Sequence, residues 1–140
     1  MAGKAEARLI YSSISTSERV ASLGAKGALL YTWLITHCDS QGRMQGNPKV
    51  IKLVIVPLFP EISKDDIPVE LVKMTEQKLI ILYNDEKGRQ LIQIADWWDW
   101  QTGLRYRGTS HYQAPEGWED RLTPRDEMGK FSEDKSKSNS

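Results

Sequence analysis

Apolar side chains recur at helical spacing in the middle of the chain and then give way to two short apolar runs. Ile67, Leu71 and Met74 lie three or four positions apart, which predicts one amphipathic helix. The runs 79–83 and 91–94 are rich in residues that suit a buried strand, and the stretch between them is entirely polar or glycine, as in a hairpin loop. The pattern therefore predicts a helix followed by a β-hairpin, which is the core of a winged-helix unit.

A second, more apolar helix is predicted upstream. Residues 25–38 are apolar on nearly all sides, which is typical of a helix buried in a core. Before it, Ser15 and Glu18 have the spacing of a capping box, so we expect a short helix to begin there and to end before Gly24. These elements must complete or decorate the central unit.

Turn residues divide the region between the two long helices. Gly42 and Gly46 bracket three residues, which indicates a short strand between two turns. Asn47 followed by Pro48 is typical of an N-cap with proline in the first helical position. We therefore interpret 50–56 as a helix, although its periodicity also fits a buried strand.

Together these elements predict an α+β fold. We expect a winged helix-turn-helix that is mainly α-helical, with a small antiparallel β-sheet or wing and an irregular C-terminal tail. One hydrophobic core is expected to hold seven residues, drawn from the three longer predicted helices and the two strands of the hairpin. These are Leu29, Trp33, Ile51, Leu71, Met74, Ile81 and Ile92.

The chain is predicted to contain one folded domain with irregular ends. Residues 1–8 are small and charged, and we expect them to be flexible. The winged-helix domain is assigned to 9–101, and 102–125 is interpreted as a basic and aromatic extension without regular structure. The strongly polar segment 126–140 is expected to be a disordered tail.

Composition excludes several classes of function. The 140 residues include 19 basic and 19 acidic side chains, so no overall field draws the chain to nucleic acid or to a membrane. No apolar run approaches the roughly 20 residues that a membrane span requires, and one cysteine cannot form an internal disulfide. We therefore expect a cytoplasmic protein with no membrane partner.

Catalytic, cofactor-binding and metal-binding motifs are not evident in the sequence. No phosphate-binding glycine loop, paired cysteines or His-x-x-x-His spacing is present. His37 and Cys38 are adjacent in the predicted helix and point in different directions, so they are not expected to bind one metal. We expect that the protein is not an enzyme and that it requires no cofactor.

A stretch free of acidic residues, 103–114, interleaves basic and aromatic side chains. Such side chains can bind phosphates and stack on bases, but they can equally pack against nearby tryptophans and carbonyls. The candidate DNA-binding residues are Arg105, Tyr106, Arg107, His111 and Tyr112 in this stretch, Lys73 and Lys78 on or near the central helix, and Lys87 and Arg89 in the hairpin loop.

The acidic residues of the central helix argue against its recognising a specific DNA sequence. We expect this helix to begin at Asp65 or Asp66, because that start places Pro68 in the first turn, where its missing N–H breaks no hydrogen bond. The stretch 64–78 holds three lysines and four acids, and the acids crowd the end that DNA-reading helices present to the bases. Tight binding of this helix to a specific DNA sequence is therefore disfavoured.

Three indoles lie within four residues after the hairpin. Trp97, Trp98 and Trp100 are candidate protein-interface residues, because tryptophan is enriched at interface hot spots. We expect at most two of the three to be buried by this chain. The remaining indole is predicted to form an association surface.

Several sequence motifs, taken in order, resemble one family. They are the segments 13–18, 33–37, 39–48, 92–97 and 101–104. Over about residues 9–115 the chain resembles the N-terminal winged-helix domain of phage replisome organisers and of the bacterial replication initiator DnaD.

The resemblance implies a winged helix with a role in initiating DNA replication, in the cytoplasm of a bacterial host. It also implies self-association and contact with replisome proteins such as a helicase or helicase loader. Family members usually carry a C-terminal helical domain, and the chain ends about forty residues after Gln101, so helicase loading by this chain alone is not expected.

Three functions remain open at this point. The first is a replication-initiation module that acts through protein association and weak, mostly phosphate-directed DNA binding. The second is a winged-helix transcriptional regulator that binds operator DNA as a dimer. The third is a self-associating scaffold without DNA contact. The acidic central helix favours the first.

Overall fold

The computed structural model describes residues 7–102 and 106–123, which form an α+β fold. A 3₁₀ helix, Ser12–Thr16, precedes the first α-helix. The α-helices in this part of the chain are α1 (Glu18–Ala21), α2 (Gly24–His37), α3 (Pro48–Val54), α4 (Asp66–Glu76) and α5 (Trp97–Trp100). The strands are β1 (Arg43–Gln45), β2 (Ile80–Asn84) and β3 (Gln90–Ile94).

The three strands form one antiparallel sheet in the order β1-β3-β2. The central strand β3 pairs Ile92 with Met44 on one side and with Leu82 on the other. The predicted central helix, β-hairpin and short upstream strand are therefore confirmed, and the fold class is α+β with a small antiparallel sheet.

Hydrogen bonds at the helix starts explain where α3 and α4 begin. The side chain of Asn47 accepts from the Lys49 N–H, as the Asn-Pro start predicts. At α4, the Ser63 N–H donates to Asp66 Oδ2 at 2.8 Å, and the Asp66 N–H donates to Ser63 Oγ at 3.3 Å. This reciprocal pair is a capping box, and it holds the helix start at the predicted residue.

The N-cap predicted at Ser15 is wrong. Helix α1 is capped by Ser17, whose side chain accepts from the Val20 N–H at 3.3 Å. Ser15 instead lies within the 3₁₀ helix, where its hydroxyl donates to the Ser12 carbonyl. A run of consecutive hydroxyl residues offers several equivalent caps, so spacing alone did not select the right one.

Both faces of the sheet are covered. Ile80, Ile92 and Ile94 are buried in the core, which the sheet shares with α2, α3 and α4. The opposite face presents Leu91 and Gln93, which are also buried but lie outside that core cluster. Residues 106–123, here called the strap, contain no helix or strand and lie against this second face.

The predicted core residues are mostly placed correctly. Ile51, Leu71, Met74 and Ile92 are buried, and Leu29 and Trp33 pack against the core while partly exposed. Ile81 is the exception, because it pairs with Gln93 and therefore faces the strap. Side chains alternate between the two faces of a strand, so the core takes its neighbours Ile80 and Leu82 instead.

Candidate functional site

One buried guanidinium ties the strap to the sheet. Arg43, on β1, is 1% exposed, and its Nε donates to Gln93 Oε1 at 2.7 Å. Its terminal nitrogens donate to the Tyr112 carbonyl at 3.2 Å and to both carboxylate oxygens of Asp120. Because a buried charge is costly without a partner, the strap supplies the counter-ion that this sheet face needs.

Two glutamines complete the hydrogen bonding beneath the strap. Gln41 Nε2 donates to the carbonyls of Gly108 and Arg121, each at 2.9 Å, and Gln41 Oε1 accepts from the Arg121 N–H at 3.1 Å. Gln93 Nε2 donates to the Gln41 carbonyl at 2.9 Å. The Gln41 side-chain amide is satisfied only when the strap is in place, so these bonds fix the position of the strap.

The strap also meets the β2–β3 hairpin. The Tyr83 hydroxyl donates to the Gln113 carbonyl, and the Glu86 N–H donates to Gln113 Oε1 at 2.9 Å. Burial raises the pKa of Tyr83 to about 12, so the hydroxyl keeps its proton at neutral pH. The hairpin loop and the strap therefore form one continuous edge of the molecule.

The strap carries four of the predicted DNA-binding residues, while Arg105 lies outside the described residues. Tyr106 and His111 are exposed, whereas Arg107 and Tyr112 are half-buried. The Arg107 backbone is hydrogen-bonded to the end of the strap, and its Nε is buried with no hydrogen-bond partner within the described ranges. Arg107 is thus less accessible to a ligand than its sequence position suggests.

In the hairpin loop, the charge of Arg89 is offset locally. Arg89 Nε donates to Asp85 Oδ2 at 2.7 Å, and Asp85 Oδ1 accepts from the N–H groups of Lys87 and Arg89. Burial alone would raise the pKa of Asp85, but the hydrogen bonds from Arg89 and Lys87 outweigh it and lower that pKa. Asp85 is therefore ionised at neutral pH, and Lys87 is left as the exposed cation of the loop.

The lysines of the central helix are placed separately from that edge. Lys73 Nζ lies 3.5 Å from Glu70 Oε2 on the same helix. Lys78 follows the helix in the left-handed region, with φ 60°. Within residues 7–102 and 106–123, no hydrogen bond joins either lysine to the hairpin loop or to the strap.

The three tryptophans have different environments. Trp97 is 1% exposed, its Nε1 donates to the Ser40 carbonyl at 2.9 Å, and its ring packs directly on Gly42. A Cβ at Gly42 would lie 2.6 Å from this ring, so only glycine fits there. Trp98 is half-buried against the core, beneath the Arg121 guanidinium. Trp97 is thus a core residue and presents nothing to a partner.

Trp100 is exposed and forms part of an apolar surface with the N-terminal segment. Its ring lies 5.0 Å from that of Tyr11, measured between centroids, and its Nε1 donates to Asp96 Oδ2 at 3.0 Å. Leu9 is held beside it, because its N–H and carbonyl both pair with the Gln101 amide at 2.9 Å. We call Leu9, Ile10, Tyr11 and Trp100 the Trp100 surface; each is 39–42% exposed.

Within 7–102 and 106–123, no group of three or more His, Cys, Asp or Glu side chains is placed to hold a metal ion. No helix in that part of the chain has both the length and the apolar character needed to cross a membrane. Burial raises the pKa of the Cys38 thiol, so this cysteine packs as an apolar side chain.

Sequence reasoning missed the buried polar network under the strap. The sequence places Gln41 in a turn, Arg43 in a short strand and Asp120 in an irregular extension, and it indicates a role for none of them. One signal was present, since Gln93 interrupts an otherwise apolar strand between Ile92 and Ile94. A polar residue at that position is equally typical of a face turned to solvent, so this signal does not distinguish a covered face from an exposed one.

No protein-family model, no curated protein and no solved structure matches this chain.

Proposed function

We propose that this chain is a winged-helix module of DNA replication initiation, of the type found in phage replisome organisers and DnaD. In this proposal it acts in the bacterial cytoplasm by associating with itself and with replisome proteins, and it binds DNA weakly. The order α2, β1, α3, α4, β2, β3 supports the winged-helix assignment, with α4 as the second motif helix and the β2–β3 hairpin as the wing.

The outer face of α4 is the observation that carries the proposal. Val69 and Val72 are 55% and 50% exposed there. The helix contains one lysine and three acids, and its first turn is occupied by the Asp66 carboxylate. Hydrogen bonds from Ser63 and pairing with Lys26 lower the pKa of Asp66, so that carboxylate is charged at neutral pH. An apolar face with an anionic N-terminus suits a protein partner better than phosphate.

The Trp100 surface is proposed as the site of association. Contiguous exposed aromatic and aliphatic side chains are typical of interaction sites, and tryptophan and tyrosine contribute strongly at interfaces. Tyr11 and Trp100 are also held in place, by the Thr102 hydroxyl at 3.2 Å and by Asp96, so little side-chain freedom is lost on binding.

DNA contact is proposed at the edge formed by the hairpin loop and the strap, together with Arg105. We expect Arg105→Ala/Arg107→Ala to lower the slope of log affinity against log salt by up to about two, because each phosphate contact contributes about 0.9 for duplex DNA. Binding should weaken alike for every DNA sequence, since phosphate contacts carry no sequence information. Salt titrations of fluorescence anisotropy with two unrelated duplexes measure both quantities.

The matched control for this experiment is Lys73→Ala/Lys78→Ala, which removes two charges from the central helix and its end. It is expected to leave any difference between the two duplexes unchanged. If the arginine variant binds DNA normally and the lysine variant loses its preference between the two duplexes, then α4 is the element that recognises the DNA sequence. The transcriptional-regulator alternative would then replace the proposal.

A further inference from the structure

A small open pocket lies directly beside the Trp100 surface. It has a volume of about 90 Å³, and Tyr11 and Trp100 contribute to its lining. Its apolar walls include Ile14, Val20 and Leu79. Pockets for small-molecule ligands usually measure about 300–1,000 Å³, so this one matches a single side chain better than a metabolite.

Two polar groups of the pocket have no protein partner. Tyr31 is 4% exposed, and its hydroxyl forms no hydrogen bond within the part of the chain that the structure describes. Asp96 Oδ2 accepts from Trp100 Nε1, but Asp96 Oδ1 is buried with no partner among the same residues. A donor from outside can reach the Tyr31 hydroxyl through the pocket, whereas Asp96 Oδ1 is closed to solvent.

The charges around the pocket favour an uncharged occupant. Arg19 Nη2 lies 3.5 Å from Asp96 Oδ2, so one cation and one anion line the pocket together. Because these two charges offset each other, the pocket offers no net attraction that would compensate a charged occupant for losing its hydration. Burial and the nearby Asp96 carboxylate raise the pKa of Tyr31, which therefore stays a neutral phenol.

We propose that this pocket binds one uncharged aromatic side chain of a protein partner, a tyrosine or tryptophan, whose O–H or N–H donates to the Tyr31 hydroxyl oxygen. Such side chains combine an apolar ring with a polar tip, which matches apolar walls that end in an unpaired hydroxyl. The inference rests on the proposed association function, and it specifies what a partner presents to the Trp100 surface.

The test uses capped amino acids as probes. N-acetyl-tyrosinamide and N-acetyl-phenylalaninamide differ only in the hydroxyl, and N-acetyl-lysinamide tests a cation. The indole N–H signal of Trp100 reports on the pocket in ¹H–¹⁵N spectra, and that of Trp97, bonded to Ser40, is the internal reference. We expect the tyrosine probe to bind about fivefold more tightly than the phenylalanine probe, as one net hydrogen bond implies, and the lysine probe not to bind.

Two matched variants locate the donor's partner. Tyr31→Phe keeps the ring and removes the hydroxyl, and it is expected to reduce the preference for the tyrosine probe at least twofold. Tyr83→Phe removes a hydroxyl that bonds to the strap and should leave that preference unchanged.

Equal binding of the tyrosine and phenylalanine probes would overturn the inference, as would the absence of any Trp100 shift up to about 50 mM probe. The comparison of probes uses the wild-type chain and so does not depend on a variant folding. If the chain self-associates normally but its pocket binds none of the probes, this inference is contradicted and the proposed function is not.

Discussion

Replacing Asp120 with asparagine is expected to lower the free energy of unfolding by about 3 kcal/mol. The neutral amide leaves the Arg43 guanidinium, which is 1% exposed, without its counter-ion. Removing one partner of a buried ion pair costs about 3–5 kcal/mol, and the lower end applies because the Asp120 side chain is 28% exposed to water. Urea denaturation followed by tryptophan fluorescence measures the change.

Glu119→Gln is the matched control, because it neutralises the exposed neighbouring residue and should change stability by less than about 0.5 kcal/mol. Hydrogen exchange should also accelerate at the Arg121 N–H, which Gln41 holds beneath the strap, more than at Leu71 in the core. Equal stabilities of the two variants would show that the strap contributes little to the fold.

Leu71→Ala is expected to destabilise the protein by about 2–5 kcal/mol. Leu71 lies on the inner face of α4, is 1% exposed and belongs to the core cluster. Truncation removes its transfer free energy and leaves a cavity between α4 and the rest of the core. Chemical denaturation at constant pH gives the difference directly.

Val72→Ala, at the next position on the same helix, provides the comparison. Val72 is 50% exposed, so its truncation should cost less than about 1 kcal/mol. If the two substitutions cost the same, the assignment of the inner and outer faces of α4 is wrong.

Local chemistry accounts for the elements that could be predicted from the sequence. The Asn47-Pro48 pair forms the cap that its sequence predicts, and the position of Pro68 predicts where α4 begins. The reciprocal hydrogen bonds of Ser63 and Asp66 at that start act over only three residues. The hairpin follows from two apolar runs around a polar loop. Such signals are contained in a single window of sequence.

The strap could not be predicted in the same way. Arg43 and Asp120 are 77 positions apart, and their pairing depends on the sheet first placing Arg43 opposite Gln93. The error at Ile81 has the same origin, because a strand that is apolar on both faces does not indicate which face meets the helices.

The environments of the three tryptophans could likewise be predicted only in part. Three indoles within four residues predict that at least one of them is exposed, and Trp100 is exposed. The sequence does not indicate that the ring of Trp97 packs on Gly42, so it cannot separate this buried indole from the exposed one. Likewise, the pocket joins Tyr31 to Asp96 across 65 positions of sequence.

Molar mass in solution, measured by light scattering with and without duplex DNA, tests most directly the claim that this chain acts by association. We predict a mass above that of the 16.0 kDa monomer without DNA. Trp100→Ala should lower it without unfolding the chain, whereas Leu122→Ala, an exposed apolar residue of the strap, should not. Added DNA of any sequence should cause only a small, salt-sensitive increase. A monomer at high concentration that becomes a dimer on one particular sequence would contradict the account.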